Sequence, residues 1–237
     1  MKKSIIIIAA LETELDHRNV PAHIPVVYSG VGKVNAAIAT FKAIKEFSPD
    51  LIINFGTVGK ITPDLAGLIP IASVVQRDMN AEPLAPRGVV PFSDKPNKYI
   101  SDLEGYVCGT GDSFVTAQDD WLVQNGVDVV DMELFAIASV AHEHDVDWLA
   151  YAYISDSANE AAGHEWSKNV NEGERLFIEK LQEILWDYWR PKKVLASLII
   201  ESYSARLGLS GLPPSINVPP ITPISCGAES GKCFGKI

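Results

Sequence analysis

Two apolar stretches decide the fold class: Ile-Ile-Ile-Ile-Ala-Ala at 5–10 and Leu-Ile-Ile-Asn-Phe at 51–55. Continuous aliphatic runs of this length are typical of strands that are buried on both faces of a sheet. Between them, Gly30-Val31-Gly32 opens a segment with apolar residues three and four positions apart, which predicts a helix ending at Ser48-Pro49. A strand, a helix and a second strand in succession favour a parallel α/β arrangement.

The same alternation continues along the chain. Strands are predicted at Ile24–Tyr28, Ile69–Val75, Gly105–Cys108, Val127–Val130 and Asp147–Ile154, and helices after Glu133 and at Val170–Trp189. Gln76–Tyr99 has several prolines and no period, so it is predicted to be a long loop. We therefore expect an α/β fold of three layers, with a mixed, mainly parallel central sheet flanked by helices.

Composition and charge narrow the classes of partner. The 237 residues include 20 Lys and Arg against 30 Asp and Glu, a net charge of -10 that argues against nucleic acid or an anionic membrane. The apolar runs are far shorter than the ~20 residues of a membrane span. Three cysteines, Cys108, Cys226 and Cys233, do not make a disulfide framework, so the expected location is cytoplasmic.

A change in composition predicts the domain organisation. After the last predicted long helix the chain becomes rich in Pro, Gly and Ser. We expect one α/β domain at 1–190 and a C-terminal extension at 191–237. The extension contains a candidate helix at 194–209, followed by an irregular tail.

Three carboxylates follow predicted buried strands: Glu14, Glu133 and Asp156. Ligands in α/β sheets bind at the carboxyl ends of the strands. A single Asp or Glu is usually an ordinary surface residue, and that interpretation stays open for each of them. Three together can divide into an acid and a base, because their surroundings push neighbouring carboxyl pKa values apart. Ser155 is placed to orient Asp156 by a hydrogen bond.

Two glycine-rich segments, Ser29–Gly32 and Gly56–Gly59, are predicted as turns that either line a ligand or connect elements tightly. Phe114 follows Gly111 closely and is either a core residue or a platform for a ring. His142-Glu143-His144 lacks the four-residue spacing that would bring two imidazoles to one metal, so no metal site is predicted.

Five segments taken together resemble the purine nucleoside phosphorylase/nucleosidase superfamily. They occur in the family's order, at Ser29–Ala37, Ile53–Gly59, Gly111–Val115, Val130–Glu133 and Ile154–Ala158. The similarity covers roughly residues 3–186 and is greatest to the methylthioadenosine/S-adenosylhomocysteine nucleosidases. It implies hydrolysis of the N-glycosidic bond of a 5′-modified adenosine to adenine and the ribose derivative, by a homodimer that takes a nucleoside as substrate and needs no cofactor.

The resemblance also implies roles for single residues. Glu14 is expected to activate the attacking water, with Glu12 as the alternative, and Asp156 to protonate N7 of the departing purine. Met132 and Glu133 are expected to hold the ribose, while Phe114 stacks on the base and the Val115 backbone bonds its edge. The substrate-binding set is completed by Ser155, Thr57, Val58 and Gly59.

Two alternative functions remain open at this stage: a phosphate-dependent purine nucleoside phosphorylase and a non-catalytic nucleoside binding or storage protein. Phosphorylases of the superfamily typically carry an Arg where this chain has Asn54-Phe55, which favours hydrolysis. The chain departs from the family pattern at Asp131, at Lys60 and in the loop Arg77–Leu84. The last departure leaves the 5′ substituent and the dimer geometry open.

Overall fold

The computed structural model describes residues 4–189. The strands are β1 (Ile5–Ala9), β2 (Val26–Tyr28), β3 (Leu51–Lys60), β4 (Leu68–Gln76), β5 (Lys98–Ile100), β6 (Tyr106–Thr110), β7 (Val129–Asp131) and β8 (Asp147–Asp156). The α-helices are α1 (Lys33–Phe47), α2 (Asp120–Gln124), α3 (Leu134–Glu143), α4 (Ala162–Asn169) and α5 (Glu174–Trp189). The predicted extension at 191–237, its candidate helix at 194–209 and Cys226 and Cys233 lie outside the described residues.

The strands form one mixed sheet that closes on itself. The strand order is β2-β1-β3-β7-β6-β4-β5, and β8 pairs with both β3 and β4. Strands β3, β7, β6, β4 and β8 therefore make a ring. Five of the pairings are parallel and three are antiparallel, as a mainly parallel sheet requires. The predicted α/β class and the mixed sheet are confirmed.

The isoleucine run that opens the chain explains the layers. In a strand, successive side chains point to opposite faces. Ile6 and Ile8 pack in a core that includes residues of α1 and α3. Ile5 and Ile7 pack in a second core, with Phe177 of α5. Helices thus cover both faces of the sheet, which is why β1 is apolar at every position.

The prediction for Gly56–Gly59 is wrong in one respect: the segment is not a turn. Strand β3 continues to Lys60, because this stretch has partners on both sides. Residues 51–59 pair in parallel with β8, while Gly59 and Lys60 pair with β7 in antiparallel orientation. These pairings satisfy the backbone hydrogen-bonding groups that a turn would have left to solvent.

Other strands and helices also begin or end at residues that differ from the predicted ones. Strand β8 reaches Asp156 rather than stopping at Ile154. The helix predicted from Val170 begins at Glu174, and α4 was not predicted. The glycine turn before α1 is confirmed, since Gly30 and Gly32 have φ angles of 75° and 95°. No helix in the described part of the chain has both the length and the apolar character needed to cross a membrane.

Candidate active site

A cavity of about 250 Å³ lies at the carboxyl ends of the central strands. Eight of the ten predicted site residues line it: Glu14, Thr57, Gly59, Phe114, Val115, Met132, Glu133 and Asp156. Val58 lines a smaller neighbouring pocket. Ser155 lies behind Asp156 and donates a hydrogen bond to its Oδ2 at 3.0 Å. Residues that are far apart in the sequence therefore converge on one space. This agrees with the rule that ligands of α/β sheets bind at the carboxyl ends of the strands, called the strand-end rule below.

Glu14 lies in the turn after β1 and is buried. Its Oε1 accepts hydrogen bonds from the backbone N–H of Thr57 at 3.1 Å and from the Thr57 hydroxyl at 2.8 Å. Its Oε2 accepts from the N–H of Leu11 at 3.1 Å. Burial raises the pKa of the Glu14 carboxyl, and these hydrogen bonds to the charged form oppose the rise. The group is fixed in place and suited to take up a proton.

The alternative candidate, Glu12, does not share this environment. Its side chain is 66% exposed and lies 3.8 Å from Nδ1 of His17. It does not line the cavity. Of the two carboxylates in this turn, only Glu14 faces the site.

Glu133 lies at the N-terminus of α3 and faces the glycine turn that precedes α1. Its Oε1 accepts a hydrogen bond from the N–H of Gly32 at 2.7 Å. Burial and the nearby Asp131 carboxylate raise the pKa of Glu133 to about 8. Asp131 is held by the N–H groups of Glu133 and Leu134, at 3.1 and 2.6 Å, so it also fixes the start of α3.

Asp156 owes its position to an irregularity in the pairing of β3 with β8. The register shifts between Val58 and Gly59, so Gly59 lies opposite Asp156. A Cβ atom on Gly59 would approach Oδ1 of Asp156 to 2.5 Å, so a larger residue at this position would displace the Asp156 carboxylate. Burial raises the pKa of Asp156, against hydrogen bonds from the N–H of Ala158 and the hydroxyl of Ser155. A carboxyl that holds its proton more tightly than usual suits a general acid.

Phe114 and Val115 form another part of the cavity wall. Phe114 is 45% exposed. Of the two interpretations that the sequence left open, a core residue and a platform for a ring, this exposure excludes the core residue. Arg77, which also lines the cavity, supports this part of the wall through hydrogen bonds. Its Nε donates to the carbonyl of Gly109 at 3.1 Å, and its Nη2 donates to the carbonyls of Gly111, at 3.0 Å, and Ser113. The exposed ring offers a platform on which a planar base can stack.

Several residues that line the cavity had no predicted role, and two of them, Arg77 and Trp166, have polar side chains with defined hydrogen bonds. Arg77 was noted only as part of a divergent loop, and nothing in the sequence shows that its side chain reaches the segment after β6. Trp166 lies on the short helix α4, where its indole Nε1 donates to the Thr57 hydroxyl at 2.9 Å. An eight-residue helix gives too short a pattern to be recognised by its period.

Comparison with known proteins identifies the class. The model of the phosphorylase superfamily matches residues 22–190, and the chain belongs to that superfamily. Within it, the chain belongs to the nucleosidase branch. It is 33% identical over 159 residues to a 5′-methylthioadenosine/S-adenosylhomocysteine nucleosidase of Shewanella pealeana, a match that covers 56% of this chain and 68% of the relative.

Solved structures show the same fold. The S-adenosylhomocysteine nucleosidase of Streptococcus pyogenes, in complex with 5-methylthiotubericidin, is 25% identical with a TM-score of 0.65, covering 79% of this chain and 96% of that one. The futalosine hydrolase of Helicobacter pylori has a TM-score of 0.71 at 21% identity, covering 79% of this chain and 98% of that one. The latter likeness shows the fold alone, because one fold serves several substrates.

Because the pKa of Glu133 is raised, we expect the difference in stability between the wild type and a Glu133→Gln variant to depend on pH. In the unfolded chain its pKa is ~4.3, so between that value and about 8 the folded protein holds a proton that the unfolded chain releases. Stability therefore falls as pH rises through this window. Relative to the wild type, the unfolding free energy of Glu133→Gln, which stays neutral, should rise by more than about 1 kcal/mol between pH 5 and pH 9.

Urea unfolding of both proteins at the two pH values measures this difference. Glu46→Gln, at an exposed position on α1, is the matched control and should show no such trend. A Glu133→Gln effect of equal size at pH 5 and pH 9 would contradict the environment described for Glu133.

Proposed function

We propose that the chain hydrolyses the N-glycosidic bond of a 5′-modified adenosine, methylthioadenosine or S-adenosylhomocysteine, and releases adenine. The observation that carries the proposal is the convergence of Glu14, Glu133 and Asp156 on one cavity beside an exposed aromatic ring. Membership of the nucleosidase branch supports it. So does the largely apolar wall, to which Leu11, Val31 and Met132 contribute and which suits a thioether substituent.

The proposed mechanism divides the work among the carboxylates. The bond between C1′ of the ribose and N9 of the purine breaks through an oxocarbenium-like state, as in glycoside hydrolysis. Asp156 gives its proton to N7, so the base leaves as a neutral molecule. Glu14 takes a proton from water as the water oxygen bonds to C1′. Glu133 accepts hydrogen bonds from the ribose hydroxyls. Positive charge that develops on the sugar favours the ionised form of Glu133, which then stabilises that charge.

Water rather than phosphate is the proposed nucleophile, because the cationic groups near the cavity are already engaged. The Arg77 guanidinium donates to three backbone carbonyls. The Lys33 ammonium lies against the carboxylates of Asp78 and Asp112. A phosphate dianion in this position would be buried among carboxylates, and within residues 4–189 the cationic side chains of Arg77 and Lys33 already have other partners, which makes its binding unfavourable.

The direct test is incubation of the purified chain with a panel of nucleosides in phosphate-free buffer. The panel contains methylthioadenosine, S-adenosylhomocysteine, adenosine and futalosine, and both products are identified by mass spectrometry. We expect adenine and the free 5′-modified ribose, at a rate that added phosphate does not change. Formation of a ribose 1-phosphate would favour the phosphorylase, and binding without any product would favour the non-catalytic binding protein.

The acid role of Asp156 gives a second prediction. Asp156→Asn keeps the shape of the side chain but cannot protonate N7 as a carboxylic acid does. We expect kcat to fall by ~10²-fold or more while nucleoside binding, measured by calorimetry, is largely kept. Asp94→Asn, at an exposed position away from the cavity, is the matched control. An Asp156→Asn variant with more than about a tenth of the wild-type kcat would exclude the acid role.

We further propose that the chain is a homodimer in which α1 contributes to the interface. Four apolar side chains on or just before this helix, Val31, Val34, Ile38 and Phe41, are between 43% and 70% exposed. Their spacing of three and four residues gives them a common face. A contiguous apolar surface of this kind is typical of a protein–protein contact.

Sedimentation velocity tests the dimer. The wild type should sediment as a dimer and Ile38→Glu as a monomer, because a charge would be buried in the contact. Val123→Glu, at an exposed apolar position on α2, should leave the dimer intact. A monomeric wild type, or a dimeric Ile38→Glu variant, would contradict the proposed interface.

A cytoplasmic location is also proposed, supported by Cys108, which is a free thiol in the core.

A further inference from the structure

Trp166 is connected to Glu14 by two successive hydrogen bonds. The indole Nε1 of Trp166 donates to Oγ1 of Thr57 at 2.9 Å. The Thr57 hydroxyl then donates to Oε1 of Glu14 at 2.8 Å. The three residues come from α4, β3 and the turn after β1, and all three line the cavity. Tertiary structure alone brings them together.

The donor and acceptor properties of the three groups fix the direction of these two hydrogen bonds. An indole N–H can donate but cannot accept, whereas a hydroxyl has one proton and accepts at its oxygen. Since Thr57 accepts from Trp166, its own proton is directed at Glu14. Accepting one hydrogen bond polarises the hydroxyl and makes it a stronger donor in the next. Oε1 of Glu14 therefore receives a strengthened O–H donor in addition to the Thr57 N–H.

We infer that Trp166 is a positioning residue that directs the Thr57 hydroxyl at Glu14 and so keeps the Glu14 carboxylate aimed to take a proton from water. The inference rests on the proposed hydrolysis and assigns a role to a residue that the sequence did not single out. Trp166 also contacts Phe114, with ring centroids 6.2 Å apart, so it joins the water-activating and base-stacking sides of the cavity. Its ring and its N–H therefore have separate effects, which the test must distinguish.

Removal of the indole N–H should make Glu14 easier to protonate. Burial pushes the pKa of Glu14 up and the Thr57 donors hold it down. The other titratable groups on the cavity wall are Arg77, Asp131, Glu133 and Asp156, and they remain unchanged in the variant. With a weaker Thr57 donor the pKa of Glu14 rises, so the acidic limb of kcat/KM moves to higher pH.

A double-mutant cycle with Trp166→Phe and Thr57→Val tests this relay, the pair of hydrogen bonds that runs from Trp166 through Thr57 to Glu14. Phenylalanine keeps an aromatic ring without the N–H, and valine keeps the shape of threonine without the hydroxyl. We expect Trp166→Phe to lower kcat/KM about fivefold near pH 6 and to move the acidic limb up by about half a pH unit. In the Thr57→Val background the same change should have almost no further effect, because the relay is already broken.

Two further variants serve as references. Thr57→Ser, which retains the hydroxyl, should preserve the response to Trp166→Phe. Trp186→Phe, at a largely exposed position on α5, should leave both the rate and the pH profile unchanged. Thermal melts of every variant establish that each is folded at the assay temperature.

The outcomes separate this inference from the function on which it rests. An equal loss from Trp166→Phe in the wild-type and Thr57→Val backgrounds would reduce Trp166 to a packing residue and overturn the relay alone. An unshifted acidic limb would do the same. Absence of adenine release by the wild-type chain would overturn the proposed hydrolysis, and the relay with it.

Discussion

The parallel pairing of β3 with β8 is the constraint on which the rest of the site depends. It runs from Leu51 opposite Asp147 to Gly59 opposite Asp156, with one shift of register near its end. Both strands are longer than their apolar runs, so they carry polar residues beyond the core to the edge of the cavity. Thr57 and Asp156 are delivered to the same space by this one ladder. A slip of one residue would turn their side chains to the opposite faces.

A balance between burial and hydrogen bonding distinguishes the three carboxylates that meet there. Burial raises the pKa of each of them. Glu14 receives hydrogen bonds from Thr57 and Leu11, which favour its charged form. Glu133 instead lies close to Asp131, whose charge adds to the effect of burial. In the proposed mechanism Asp156, whose pKa is also raised by burial, is the proton donor and Glu14 is the proton acceptor, and no metal ion takes part.

Much of this arrangement is predictable from the sequence, for identifiable reasons. The isoleucine run at 5–8 and the apolar run at 51–55 carry local signals of buried strands, and the strand-end rule then selects Glu14, Glu133 and Asp156. The extension of β3 through Gly56–Gly59 was not predictable, because it depends on partners more than 70 residues away, in β7 and β8. The same reason applies to Trp166, which is 109 residues from its hydrogen-bond partner Thr57. Local patterns locate elements, whereas long-range pairing decides how far they extend and what they contact.

In the proposed mechanism this cavity cleaves a nucleoside by protonating its purine at N7. The most direct measurement uses an analogue of methylthioadenosine in which N7 is replaced by a C–H group, which cannot accept a proton. We expect the analogue to bind in competition with methylthioadenosine but to release no base, under conditions in which methylthioadenosine itself is fully hydrolysed. Release of the carbon-substituted base within about tenfold of the parent rate would contradict the mechanism, because general acid catalysis contributes ~10²–10⁴-fold.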